Sequence, residues 1–556
     1  MYKIEDTVLV LDQAEDRTTH IDTTGHGDDI RGAWGTIKGN AVAPRKTWLH
    51  RLLTLLVIMG PGLITMVGDN DAGGIQTYVQ AGQQYGTTLL WTLLILIPLL
   101  IVNQEMVVRL GAVSGVGHAR LIFARFGKFW GAFALSDLFI LNFLTIVTEF
   151  IGFSMALQYF GVSPYISVPL GVVGLIAITT TGSFRRWESV MWVCCLASLL
   201  MIPIAFIPHG AIGPVVSGTF IPNVRGGLNS TALLTIVAII GTTVTPWQLF
   251  FQQSNVVDKR ITARWMKSER TDTIIGAFLT NIEAAGLVIA AAFAFAATKF
   301  DNAFVDLNTT AHQFGSVGHP IMGVILMIIL LNASIIGACA VSLATSYAFG
   351  DTFKANHSLH NKFSEAKSFY SSYAALIVCA GSIVILSPAQ VLAILTLVVQ
   401  ALAGILLPNA TMFLVLLCND RAVLGPWVNR AWLNVVCTII VGVLITLSVI
   451  LATTTLIPFT NTQTLQLAAI AGVVLVISLM VIGVFSLVKY LRKGPNAELV
   501  ALYGMDKNTW QMPPLAELSK PVLSLTCRVG MFALRIYLIV AVALLVYKFI
   551  VLAFVH

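Results

Sequence analysis

Residues 68–74 read GDNDAGG. Two carboxylates flank an asparagine, and glycines sit at both ends. The flanks, LLTLLVIMGPGLITMV (52–67) and IQTYVQAGQQYG (75–86), are mostly apolar. An acidic, helix-breaking insert in such a setting needs a reason. A carboxylate at membrane depth costs about 2.5–3.5 kcal/mol on insertion scales and is a functional hypothesis by default. Non-helical backbone there is tolerated only where it is buried in protein or lines a wet cavity. The reading of this stretch therefore turns on whether its flanks lie in a bilayer.

Composition answers that. Of 556 residues, 57% are hydrophobic and 11% charged, which places the chain in the membrane class. About 20 apolar residues cross a bilayer as a helix. Thirteen candidate spans are centred near 66, 98, 144, 172, 198, 242, 285, 334, 378, 403, 442, 478 and 543. Residues 1–46 are polar and lack the apolar core of a signal peptide, so they are expected as a disordered cytoplasmic tail. His20 and His26 in that tail are read as part of it rather than as metal ligands. The net charge of +7 is a topology signal, because 29 of the 33 Lys and Arg residues fall in the tail and in alternate loops. That bias places the N-terminus in the cytoplasm and argues against a nucleic-acid partner. An integral protein of a prokaryotic plasma (inner) membrane, with the lipid bilayer as its partner, is the expectation. The seven cysteines show no CxxC spacing, and all but Cys527 lie in apolar runs, as small core residues do.

A second interruption explains the first. The sixth span, LLTIVAIIGTTVTPWQLFFQQS (233–254), holds GTTVTP at its centre. Pro246 lacks an N–H and crowds the preceding turn, so a break is expected near 241–245. Five spans separate the two breaks, the offset of two inverted five-helix repeats. Interrupted helices at matching places point to a transporter with its site at the midplane. Freed carbonyls at the ends of half-helices suit cations. Glycine and proline kinks alone would not require Asp69 and Asp71. The expected organisation is a ten-helix core over 47–425, with repeats of about 50–210 and 228–418. Peripheral helices follow over 426–556, with a basic loop near 489–528.

The residues resemble a known family. GPG, eight residues, DAGG and then QAGQQYG resemble the first span of the natural resistance-associated macrophage protein (NRAMP) divalent-metal transporters. GTTVTPWQLFFQQS resembles their sixth-span motif. TEFIGFSMAL (148–157), RTDTIIGAFLTN (270–281) and VVQALAGILLPNA (398–410) look like further family segments in the right order. The resemblance covers about residues 50–425. It implies an all-α multispan protein of the LeuT-type 5+5 inverted repeat with unwound first and sixth spans, and about three peripheral C-terminal helices.

Departures from the family pattern are as informative. The family's metal-binding aspartate falls on Asp71, its asparagine on Gly74 and its methionine on Thr245. The histidine after the proline is Trp247. The third-span glutamate is kept as Glu149, but the proton-accepting aspartate three residues earlier is Ile146. The ninth-span arginines have no counterpart, since 354–400 holds no Arg. The tenth-span glutamine is Gln400. This pattern resembles the magnesium-transporting branch more than the manganese/iron branch.

The resemblance makes Asp71 the strongest metal ligand, although a cap on the following half-helix is the plainer reading of an acceptor at that place. The Gly68 and Thr242 carbonyls are expected as further donors. Thr245 offers a hard oxygen where a thioether would favour softer metals. Gly74 and Thr245 also leave room for water, which suits Mg2+, an ion that keeps several waters; Mn2+ accepts oxygen ligands too. Gln400 either completes the shell or makes an interhelical hydrogen bond. Asp69 and Asn70 are weaker candidates, lining the outer mouth or capping. Glu149, Trp247 and Glu283 are assigned to the pathway, each carboxyl with a structural alternative. Glu105 and Arg109 read as a local ion pair, and Asp137 as near the inner mouth.

The sequence thus predicts a carrier of Mg2+ or Mn2+, with no cofactor besides the transported ion, and no enzyme. Facilitated, proton-independent transport is expected. The rivals are a proton-coupled Mn2+/Fe2+ symporter, which the missing methionine disfavours, and an amino-acid carrier of the same architecture, whose substrate carboxylate Asp69 and Asp71 would repel. A receptor does not account for two matched breaks, and an enzyme would need a nucleophile–base pairing that is absent. Oligomeric state is left open.

Overall fold

The computed structural model describes residues 29–38, 47–456 and 461–493, with scattered positions between 505 and 543. Twelve of the thirteen span centres fall on its helices. The centre near 543 falls on two described helical residues, 542 and 543, in a stretch described only at scattered positions, and most of the 489–528 loop lies outside the described residues. Among the described residues, eight helices are long and apolar enough to cross a membrane, or up to ten if each of two bent pairs is one span.

The first span is three helices: α1 (Trp48–Ile58), α2 (Pro61–Val67) and α3 (Ala72–Tyr85). It breaks twice where one interruption was expected. The extra break is at Met59–Gly60, where α1 and α2 bend by 55°. Gly60 takes φ 143 there, a backbone state that favours glycine, and Pro61 starts the next helix at the position it tolerates best.

The second to fifth spans are α4 (Leu90–Ser114), α5 (His118–Tyr159), α6 (Pro164–Thr179) and α7 (Phe184–Ser198). Gly127, at φ 84, separates a short segment of α5 from the span proper. A short α8 (Ile212–Phe220) leads to the sixth span, α9 (Ser230–Thr243) and α10 (Pro246–Asp258). Then come α11 (Met266–Phe295), α12 (Leu307–Ser316), α13 (Pro320–Phe353), α14 (Lys367–Leu386) and α15 (Ala389–Cys418). A turn of helix, α16 (Arg421–Leu424), precedes α17 (Ala431–Leu456) and α18 (Asn461–Lys493).

Burial separates the centre from the rim. In the sixth span 94% of the apolar window is buried, against 39% in the fifth and ninth. The broken spans are therefore enclosed by protein, the condition under which interrupted backbone survives at membrane depth. Small residues bring the helices together. A Cβ on Gly241 of α9 would fall 2.2 Å from the Gln400 carbonyl of α15, so only glycine allows that approach.

One part of the N-terminal expectation is corrected. Residues 30–37, expected within a disordered tail, form a hairpin of β1 (Ile30–Gly32) and β2 (Gly35–Ile37), with Ile30 opposite Ile37. Both isoleucines are buried against the helices, and that burial holds a two-stranded element too small to stand alone.

Candidate metal-transport site

The break between α2 and α3 is built from local hydrogen bonds. Gly68, Asp69 and Asn70 donate back to Ile64, Met66 and Val67 in a closing turn. Asp71 is extended (φ −74, ψ −178) and caps α3, its Oδ1 accepting the Gly74 N–H at 2.6 Å. The capping alternative is thus realised, and it leaves the carboxylate fixed at the break. No described N–H reaches the carbonyls of Gly68, Asp69 or Asn70.

The sixth span breaks at Val244–Thr245, as expected. Pro246 has no N–H to offer the Thr242 carbonyl, and no described N–H takes its place. Thr245 caps α10, with Gln248 Oε1 accepting the Thr245 N–H at 3.3 Å. Its hydroxyl donates across to Asp69 Oδ1 at 2.5 Å. The two breaks are therefore joined directly.

Around this junction the candidates fall into place. Glu149 on α5 accepts the Ala72 N–H at 3.2 Å through Oε2. Gln400 on α15 reaches Asp71 Oδ1 from Nε2 at 3.4 Å, passing over Gly73, where a Cβ would lie 1.7 Å from that nitrogen. Gly74 faces the Thr242 hydroxyl, 2.8 Å from where its own Cβ would be. Trp247 is fully buried, its ring against Gly68 and Phe251.

Two weaker assignments change. Asp69 and Asn70 neither line an outer mouth nor cap a helix; both are buried. Asn70 donates to Glu283 Oε2 at 2.9 Å and to the Thr280 carbonyl at 3.1 Å. Ser198 supplies a 2.7 Å bond to Glu283 Oε1, so Glu283 is tied to the first break rather than standing alone in the path. The Glu105–Arg109 ion pair is present at 3.3 Å, and Glu105 also pairs with Arg270 at 2.7 Å. Asp137 accepts from Asn409 at 2.9 Å.

Four oxygens at the junction are buried with no hydrogen-bond partner among the described residues: Asp69 Oδ2, Asn70 Oδ1, Thr242 Oγ1 and Glu149 Oε1. Orphaned buried acceptors are costly, and a cation satisfies several at once. The set is all oxygen, which suits hard divalent ions. No three His, Cys, Asp or Glu side chains converge to hold an ion among the described residues.

Sequence reading missed Gln104 and Gln248, which join α4 to α10 at 3.0 Å, and Tyr78, whose hydroxyl meets Thr243 at 2.9 Å. Each is a polar residue in an apolar run, a signal that does not say which partner it meets.

A family model described as natural resistance-associated macrophage protein-like matches residues 62–454. The chain belongs to the Nramp family. A divalent metal cation transporter MntH of Xylella fastidiosa is 28% identical over 427 residues, 74% of this chain and 87% of that protein. The MntH of Latilactobacillus sakei is 25% identical over 406 residues, covering 68% and 85%. A manganese transporter of Eremococcus coleocola, solved with an aromatic bis-isothiourea substituted compound, superposes with a TM-score of 0.61 at 18% identity, over 85% of this chain and 99% of that one. Its likeness shows the fold, and this Nramp chain has the LeuT-type architecture that its two interrupted spans imply.

Proposed function

We propose that this Nramp chain transports divalent cations, Mg2+ foremost and Mn2+ with it, by facilitated movement without coupled protons. The observation that supports the reading most is the all-oxygen donor set where the broken spans meet. It comprises Asp71, Asp69, Gln400, the Gly68 and Thr242 carbonyls and the Thr242 hydroxyl, with Thr245 in the place of a thioether. Mg2+ prefers such ligands and retains water. Gly74 and Thr245 also carry less side-chain volume than the asparagine and methionine of the family pattern. The relatives named as divalent metal cation transporters support the wider class.

Proton independence rests on what occupies the family's coupling positions. Ile146 is a buried apolar residue and Trp247 an indole without a titratable group. Residues 354–400 contain no arginine. The energetics permit it: one charge crossing 100 mV gains about 2.3 kcal/mol, hence about 4.6 for a divalent ion. At about 1.4 kcal/mol per tenfold, that drives accumulation on the order of a thousandfold. We place the chain in the plasma membrane of a prokaryote, and the basic-loop bias supports an N-terminus inside.

An amino-acid carrier on this fold is disfavoured by Asp69 and Asp71, which would repel a substrate carboxylate. The test is uptake into proteoliposomes of Mg2+, Mn2+, Ca2+ and Fe2+ in turn. Mg2+ and Mn2+ should both enter, with Mg2+ at least as fast. Exclusion of Mg2+ at millimolar concentration would overturn the reading.

A further inference from the structure

Away from the junction, a fully buried lysine sits at the bend where α1 ends. Lys259, just past α10, donates from Nζ to the Ile58 and Met59 carbonyls at 2.9 and 2.8 Å. These carbonyls end α1. It also donates to Glu188 Oε1 on α7 at 2.5 Å. The other oxygen of Glu188 accepts the Ala33 N–H, from the turn of the β1–β2 hairpin, at 2.5 Å. One carboxylate therefore ties the hairpin and, through Lys259, the end of α1 to α7. The hairpin lies hard against α1: a Cβ on Gly32 would fall 2.3 Å from the Val57 carbonyl. Trp34 meets Trp192 of α7 edge-on at 5.5 Å. Asp272 of α11 holds the other side of the bend, accepting from Gly60, Gly62 and Leu63.

Glu269, one turn before Asp272, is buried with neither oxygen hydrogen-bonded among the described residues. Asp272 accepts the Gly60 N–H, and a Cβ on Gly60 would lie 3.2 Å from Lys259 Nζ, so Glu269, one turn along the same helix, and the lysine face the same bend. A buried carboxylate left without a partner is strongly unfavourable, and the nearby cation is committed to Glu188 in this conformation. Two carboxylates thus compete for one lysine, the arrangement of a two-position switch.

We propose that the hairpin, Glu188 and Lys259 form a strap that holds α1 shut against the bundle, and that opening of this face requires Lys259 to exchange Glu188 and the α1 carbonyls for Glu269. Gly60 and the 55° bend supply the hinge. By the basic-loop bias this face is cytoplasmic, so the strap governs release of the ion rather than its choice.

The test is amide hydrogen exchange of residues 48–58 in the full-length protein in lipid nanodiscs, a readout independent of which ion is carried. Failure here would leave the Mg2+ reading standing, and the reverse. Gly32→Val wedges the hairpin off α1, and Glu188→Gln removes the ion pair from a different element. Each should accelerate exchange in α1 about tenfold or more, because breaking a buried ion pair biases the equilibrium by more than the about 1.4 kcal/mol that tenfold requires. Exchange in α13 reports whether the fold is intact, and Gly32→Ala serves as the milder wedge. In Glu188→Gln/Glu269→Gln the acceleration should be lost, since the open position then has no carboxylate for Lys259. Exchange in α1 within twofold of the parent in both strap variants would overturn the strap. Acceleration undiminished in the double variant would overturn the exchange of partners.

Discussion

Thr245 and Asp69 meet across two broken helices: the threonine hydroxyl donates to Asp69 Oδ1 at 2.5 Å, 176 residues away in sequence. The contact turns Thr245 from a free ligand into the group that orients an acidic one. A hydrogen bond to a charged acceptor is worth about 1.5–3 kcal/mol. Thr245→Ala should lose about that much stability, while Thr245→Ser keeps it. Thermal unfolding in detergent checks this; equal melting temperatures for the alanine and serine variants would show that the bond holds nothing.

Asp71 serves as both cap and carboxylate, and two substitutions separate these tasks. Asp71→Asn retains an oxygen for the Gly74 N–H but loses the charge; Asp71→Ala loses both, at an extra cost of about 1 kcal/mol in stability. Both should abolish ion uptake, and only the alanine variant should melt lower. Uptake at the parent rate in Asp71→Asn would remove the carboxylate from the site.

Gly73 marks the path of Gln400. A methyl there would lie 1.7 Å from Gln400 Nε2, at the movable end of a flexible side chain. Gly73→Ala should fold and push the amide off Asp71, weakening apparent ion affinity about tenfold, in line with loss of one charge-assisted hydrogen bond. Gln400→Ala should match it. If the two variants differ in KM, or neither changes it, Gln400 is no part of the binding shell.

Softness can be reintroduced. Gly74→Asn with Thr245→Met adds volume beside the Thr242 hydroxyl and a thioether at the sixth break. The pair should shift preference from Mg2+ toward Mn2+ by about tenfold or more, since thioethers favour softer metals and Mg2+ yields its water reluctantly. An unchanged Mg2+/Mn2+ ratio in competition uptake would contradict the volume-and-softness argument.

The two breaks were legible because glycine and proline act locally: Pro246 removes an N–H whatever surrounds it, and Asp71 caps the helix that follows it. Twelve span centres were legible from hydropathy alone. The partnerships were not. Asn70 and Glu283 are 213 residues apart, and nothing local to GDNDAGG selects Glu283 over Glu149. Lys259 read as one more positive charge on a cytoplasmic loop, whereas burial makes it a structural cation. The hairpin IRGAWGTI was too short to stand out from a polar tail, and its order comes from Glu188 and Val57, which only the packed fold supplies.

The central claim is that Mg2+ moves through the joined breaks alone, and simultaneous recording of lumenal Mg2+ and lumenal pH tests it most directly. Proteoliposomes would be held at a set inside-negative potential with no pH gradient. The account predicts Mg2+ entry that grows with the potential, with lumenal pH unchanged. Acidification that tracks Mg2+ entry, and disappears with Glu149→Gln, would show that protons travel with the metal and would contradict it.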